Sequence, residues 1–295
     1  MDLRRASQFP IQELTAIYNR SRSDYIVPMP MTVWQFAEYI RVYDIDLDAS
    51  CVARGDNAPL GLCMTGIRRS SAWITRLGVI PEFRRRGVGR SMVTHCLGHL
   101  AERDVITVQL EVISGNHPAL LMFRTFGFVE TQPLSVLRRP PCQPSPRQSQ
   151  PADRPVWLDT SQVLKALKEA GPARPWINQP ESLSNAGGVQ GLHLQHTDPA
   201  SGWLSFIRSG SELAHVDLWA AASPDAEIAH RLLDQLHRRF PALSATAENI
   251  LADAPVLTVL LAHNYHEQFS RIEMKLDLAA QTPQKTSCSD PCSHE

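Results

Sequence analysis

Four arginines and two glycines fall within seven residues, Arg84-Arg85-Arg86-Gly87-Val88-Gly89-Arg90, directly after an apolar run that ends at Pro81. Glycines here let the backbone turn tightly and bring its amide groups close to a ligand. The residues that follow read as an amphipathic helix, whose first turn offers unpaired N–H groups and the positive end of its dipole. With the arginines added, this is an anion cradle suited to a phosphorylated ligand such as a nucleotide cofactor. A second set of polar residues lies downstream, with Glu111 in an apolar run and Asn116 just beyond it. The six cysteines suggest no comparable chemistry. Cys51, Cys63 and Cys96 sit among apolar residues as small core side chains, while Cys288, Cys292 and His294 lack the second ligand pair of a closed metal site. No metal is expected.

The elements that must position these residues can be read from periodicity. Helical spacing covers Pro10 to Asn19 and Thr32 to Val42, with Thr32 suited to the N-cap. Strands are expected at Ser50–Arg54, Leu60–Arg68 and Ala72–Ile80, then a helix from Gly89 to about Arg103. A strand at Val105–Ile113, a short helix at Pro118–Phe126 and a strand at Phe128–Leu137 complete the segment. This order predicts an α/β (α+β) fold, a mixed sheet flanked by helices.

The chain has 295 residues, 43% apolar and 20% charged, enough for two cores. A formal net charge of −1 gives no general case for nucleic acid or an anionic membrane. The first residues lack the apolar core of a signal peptide and no apolar run reaches membrane-spanning length, so a cytoplasmic location is expected. A stretch rich in Pro, Ser, Gln and Arg, 138–155, reads as an exposed linker between segments 1–137 and 156–278, and 279–295 reads as a disordered tail.

The first segment resembles the GNAT superfamily of acyl-CoA-dependent N-acyltransferases. The resemblance rests on Val79, Pro81, Arg84, Gly87 and Gly89, then Leu110-Glu111-Val112, Asn116, Ala119, Phe123 and Gly127-Phe128, in the family's order and spacing. It implies acetyl-CoA as co-substrate. Backbone amides from Arg85 through Arg86, Gly87, Val88 and Gly89 to Arg90 would hold its pyrophosphate. Backbone groups of Leu77 and Val79 would pair with the pantetheine arm, and Asn116 would hydrogen-bond it. Glu111 is the candidate general base, the alternative being a solvent-facing strand residue. Phe123 departs from the pattern, because the family commonly places a general-acid tyrosine there and phenylalanine has no proton to give. Tyr18, Tyr25 and Tyr39 are candidate substitutes, each with packing as its alternative. His95 and Cys96 read as structural.

The second segment repeats the first faintly. A shift of 137 residues lays Glu248 on Glu111, Pro255 on Pro118 and Tyr265 on Phe128. Strands near 215–221, 245–250 and 271–278, with helices at 225–240 and 255–263, follow the same order. The Arg/Gly loop is missing between Trp219 and Ala229, and Asp253 replaces Asn116. This half reads as a degenerate GNAT-like domain that does not bind CoA and instead packs on the first, shapes its acceptor site or meets a partner, the alternative being an unrelated α+β domain. The expected reaction is acetyl transfer to a primary amine, either a small molecule or a protein or peptide amine, with homodimerisation left open. The alternative is a catalytically weak acyl-CoA sensor or partner-binding module.

Overall fold

Each half of the chain lays down the same succession of elements. The first half gives β1 (Asp2–Arg5), α1 (Ile11–Ser21), α2 (Val33–Val42), β2 (Cys51–Arg54), β3 (Pro59–Arg68), β4 (Ser71–Val79), α3 (Val88–Ala101), β5 (Thr107–Ile113), α4 (His117–Arg124) and β6 (Val129–Arg139). The second gives β7 (Pro155–Leu158), α5 (Thr160–Glu169), α6 (Pro180–Ala186), β8 (Val189–Leu194), β9 (Trp203–Ser209), β10 (Glu212–Trp219), α7 (Ala226–Arg239), β11 (Ser244–Leu251), α8 (Pro255–Ala262) and β12 (His266–Asp277). The computed structural model describes residues 1–56, 58–142, 154–169, 174–194, 202–219, 226–252 and 254–281. Cys288, Cys292, His294, Asp253, most of the expected linker and most of the tail lie outside the described residues.

All twelve strands join one mixed sheet in the order β1-β2-β3-β4-β5-β12-β6-β11-β10-β9-β8-β7. The order reads as a palindrome about the β12–β6 pair. Its centre carries an exchange: the last strand of each half pairs with the penultimate strand of the other. Moving the β5 partner forward by 137 residues and the β12 partner back by the same number converts Val108↔Leu276 into Ala245↔Arg139, and Leu110↔Met274 into Ala247↔Leu137. Both derived pairs are present, so the internal repeat holds down to the register of the ladders. Segments 1–137 and 156–278 are therefore not closed units of the sheet. Two similar repeats present similar strand edges, and either last strand satisfies either edge.

The exchange corrects the linker boundary as well. Arg138 and Arg139 belong to β6, and Arg139 is buried, its Nε donating to the His263 carbonyl at 3.1 Å. Polar composition marked this stretch as exposed, whereas pairing with β11 and β12 draws it inward.

Local signals set the elements around the first-half cleft. Thr32 and Gln35 close a reciprocal cap on α2: Gln35 N donates to Thr32 Oγ1 at 3.2 Å, and Thr32 N donates to Gln35 Oε1 at 2.8 Å. α3 covers Cys51, Cys63 and Ile74 with Val88, Met92, Val93 and Cys96, and the three cysteines behave as core hydrophobes. On the other face, Leu14, Ile17 and Tyr18 of α1 pack with Phe36, Leu62, Met64 and Trp73. Trp176 and Ile177 from the second half complete that cluster. Among the described residues no helix is long and apolar enough to cross a membrane.

Candidate active site

The Arg/Gly loop turns into α3 with both special conformations that a nest of amides requires. Arg85 has φ 61° and Gly87 has φ 79°. The first turn of α3 has no side-chain cap, so its leading N–H groups face outward from Gly87, Val88 and Gly89. A Cβ on Gly89 would sit 3.5 Å from Val79 Cγ2 and 3.6 Å from Met122 Sδ, which is ordinary contact, so a methyl group fits here. Arg85, Arg86 and Arg90 are exposed around the nest. Arg90 also donates to Thr125 Oγ1 at 2.8 Å. Arg84 stands apart from them. Its guanidinium grips Asp24 at 2.7 and 2.8 Å and the Ser21 carbonyl at 3.1 Å, while its Nε reaches the Val79 carbonyl at 3.0 Å. Its side chain ties α1 to the end of β4 rather than facing the nest.

Beyond the nest the sheet opens. β4 and β5 run parallel but pair only from Ser71↔Thr107 to Trp73↔Gln109, although β4 continues to Val79 and β5 to Ile113. A bulge forces the parting: Arg76 and Leu77 together oppose the single Cys63 of β3, with Arg76 at φ 51°. A cavity of about 300 Å³ fills the opening, bordered by Leu77, Arg76, Glu111, Asn116 and Phe123 among others.

Glu111 faces this cavity rather than solvent. Trp73 Nε1 donates to its Oε2 at 2.7 Å, and its Oε1 is buried without a partner. Burial pushes the carboxyl up to about 7 against the pull of Arg271, with Glu273 across the ladder adding to the rise. A carboxyl poised there can both take and return a proton near neutrality.

Asn116 caps α4, its Oδ1 accepting from Ala119 N at 3.3 Å while its Nδ2 donates to the Tyr25 hydroxyl at 3.3 Å. Phe123 is buried edge-on against Phe128, its ring centre 5.5 Å away, and offers the cavity only carbon. Of the three candidate tyrosines, Tyr18 is buried and donates to the Met29 carbonyl at 2.7 Å, and Tyr39 is held by Thr75 Oγ1 at 2.6 Å. Tyr25 borders the cavity beside Asn116, with the Arg22 guanidinium 4.3 Å from its ring centre.

The second half supplies part of the wall, through Ile177, Glu248 and Arg271. Trp176 stacks on Trp73 with ring centres 5.9 Å apart and donates Nε1 to the Tyr43 carbonyl at 2.9 Å. Arg271 pairs with Glu248 at 3.1 Å and donates to Asn249 Oδ1 at 2.7 Å. Sequence reasoning missed Arg22, Arg76 and Arg271. Arg76 carried a signal, a lone charge inside the apolar run AWITRLGVI, whereas Arg271 reaches the site only through the strand exchange. The second half repeats the parted strands, since β10 and β11 pair only at Glu212↔Ser244 and Leu213↔Ala245, with a bulge at His215 of φ 52°.

Residues 12–128 match the model of the acetyltransferase (GNAT) family. The first half therefore carries a GNAT-family domain. The [ribosomal protein bS18]-alanine N-acetyltransferase of Salmonella typhimurium is 32% identical over 75 residues, 25% of this chain and 51% of that protein. A Bacillus subtilis counterpart, described as putative, is 30% identical over 76 residues, 26% of this chain and 50% of that one. The chain thus spans about half the length of the curated relatives it matches. A GCN5-related N-acetyltransferase from Sphaerobacter thermophilus superposes with a TM-score of 0.68 at 14% identity, over 91% of this chain and 92% of that one. A tandem GNAT protein from the clavulanic acid biosynthesis pathway gives 0.62 at 13% identity, over 94% and 99%. At these identities the likeness is one of fold, and it extends across both GNAT-like halves.

Proposed function

We propose that the protein is an acetyl-CoA-dependent N-acetyltransferase with one active site, in the first half, acting on a primary amine. The observation that carries this reading is Glu111, a carboxyl pushed to about 7 at the point where β4 and β5 part, in line with an anion nest at α3. Acetyl-CoA supplies an activated acyl group, and the amine nitrogen attacks its carbonyl carbon as the C–S bond breaks. Residues 85–90 supply amides and guanidiniums for the pyrophosphate, while the free edges of Leu77 and Val79 flank the pantetheine path. The Val79 carbonyl already serves Arg84, so Val79 contributes less backbone than the family pattern implies. Glu111 takes the proton of the amine, whose ordinary pKa near 10.4 would otherwise leave it unreactive.

The acid that Phe123 cannot be is assigned to Tyr25. Its hydroxyl lies beside Asn116 on the same cavity, free to donate to the leaving thiolate, with the Arg22 guanidinium over its ring. The curated relatives are named for an alanine acceptor on ribosomal protein bS18, which puts an α-amine among the acceptors to try. We also infer a cytoplasmic location from this use of acetyl-CoA. Calorimetry with acetyl-CoA, followed by free-thiol release with amines and N-terminal peptides, tests the reading. Binding with turnover supports it, binding without turnover on any acceptor favours a sensor, and no binding refutes both.

A further inference from the structure

The cavity holds more positive charge than its own residues neutralise. Arg22 and Arg76 both border it, and among the described residues neither has an ion-pair partner. The Nε of each is buried without a hydrogen bond. Among the described residues Arg76 meets the Tyr18 hydroxyl at 3.4 Å, Met29 Sδ at 3.8 Å and the faces of Tyr39 and Tyr18 at 4.2 and 5.5 Å. Arg22 lies over Tyr18 and Tyr25. Elsewhere the protein pairs its arginines: Arg68 with Asp44 and Arg84 with Asp24 at 2.7 Å, and Arg174 with Asp217 at 2.8 Å. The cavity's own carboxyls do not make up the deficit. Glu248 is held by Arg271, and Glu111 is held neutral to about pH 7.

Two half-buried cations on one cavity, each with a buried and unsatisfied Nε, mark a place for an anion that arrives with a ligand. A groove of about 410 Å³ continues from the cavity past Arg76, lined by Val27, Met29, Met31, Val136 and Phe269. It is apolar enough for a hydrocarbon side chain.

Resting on the acyl-transfer reading, we propose that the acceptor is a small primary amine carrying its own carboxylate, of the amino-acid class. Arg76 and Arg22 receive the carboxylate, the amine faces Glu111, and an apolar side chain occupies the groove. A carboxylate could instead arrive on the acyl group, and the experiment separates these sources. Calorimetry on the CoA-saturated protein compares N-acetyl-L-leucine with N-acetyl-L-leucinamide. The carboxylate form should bind about 10- to 100-fold more tightly, the range of a hydrogen bond to a charged group, and Arg76→Gln should erase the difference. Arg22→Gln serves as the second variant, and melting curves with acetyl-CoA binding report whether each variant folds. Equal affinities, binding of neither compound, or a preference that survives both substitutions would overturn the proposal while acetyl-CoA binding still upholds the acyl-transfer reading. An Arg76-dependent preference for succinyl-CoA over acetyl-CoA would overturn it too, by placing the carboxylate on the donor. In the turnover arm, leucine should exceed leucinamide and a leucyl peptide amide, and the reverse order would point to a peptide acceptor.

Discussion

Glu111→Gln should make the protein more stable at alkaline pH and leave its stability unchanged in acid. The folded state lifts this carboxyl from 4.5 to about 7 because burial penalises the charged form. Between those values the folded chain holds a proton that the unfolded chain has released. Stability conferred on the neutral form is therefore complete below about 4.5, drains as pH rises, and is gone above about 7. At about 1.4 kcal/mol per pH unit, the roughly 2.5-unit shift corresponds to some 3 kcal/mol, and to about 2 if water enters the cavity beside the carboxylate. Glutamine keeps an oxygen for Trp73 Nε1 and never ionises. Urea unfolding of both proteins at about pH 4.5 and about pH 8.5 is the assay, with an expected gain of about 2–3 kcal/mol at the higher pH only. An equal difference at the two pH values, or a loss at the higher one, would refute the claim that Glu111 is strained as a carboxylate. The same variant should lose turnover, so a gain in stability with a loss of activity is the combined signature.

Turnover by the intact protein should climb with pH through about 7 as Glu111 loses its proton, and a flat profile that Glu111→Gln does not alter would exclude it as base. Tyr25→Phe should lower kcat about 100-fold or more in thiol-release assays while acetyl-CoA affinity, read by calorimetry, stays put. Gly87→Val forces a β-branched residue into φ 79° and should weaken acetyl-CoA binding measurably, whereas Gly89→Ala, with only ordinary contacts to meet, should be nearly silent and Gly89→Trp should block the nest. Trp176→Ala should cost about 3–5 kcal/mol in chemical unfolding and loosen the Trp73–Glu111 contact, although it lies in the other half of the chain.

How much of this was legible in the chain follows from range. The Arg/Gly loop, the Thr32 cap and the missing hydroxyl at Phe123 are local matters, settled by residue type within a few positions. The 137-residue repeat was visible because two diverged copies still share strand and helix order. Periodicity could not say which copy's last strand would pair with which edge, because the two edges are alike. Polar composition likewise hid Arg138 and Arg139 inside β6.

The sequence alone determined the superfamily signature, the location of the anion nest and the absence of a general acid at Phe123. Only the tertiary structure decided that the Glu111 carboxyl sits against Trp73 and faces the cavity rather than solvent, since strand alternation gives two faces and not which one is covered. It also decided that the second half helps build the site. Strand exchange sets Arg271 opposite Ile113 of β5 at the cavity wall, and packing sets Trp176 on Trp73, contacts between residues 158 and 103 positions apart that no local rule connects.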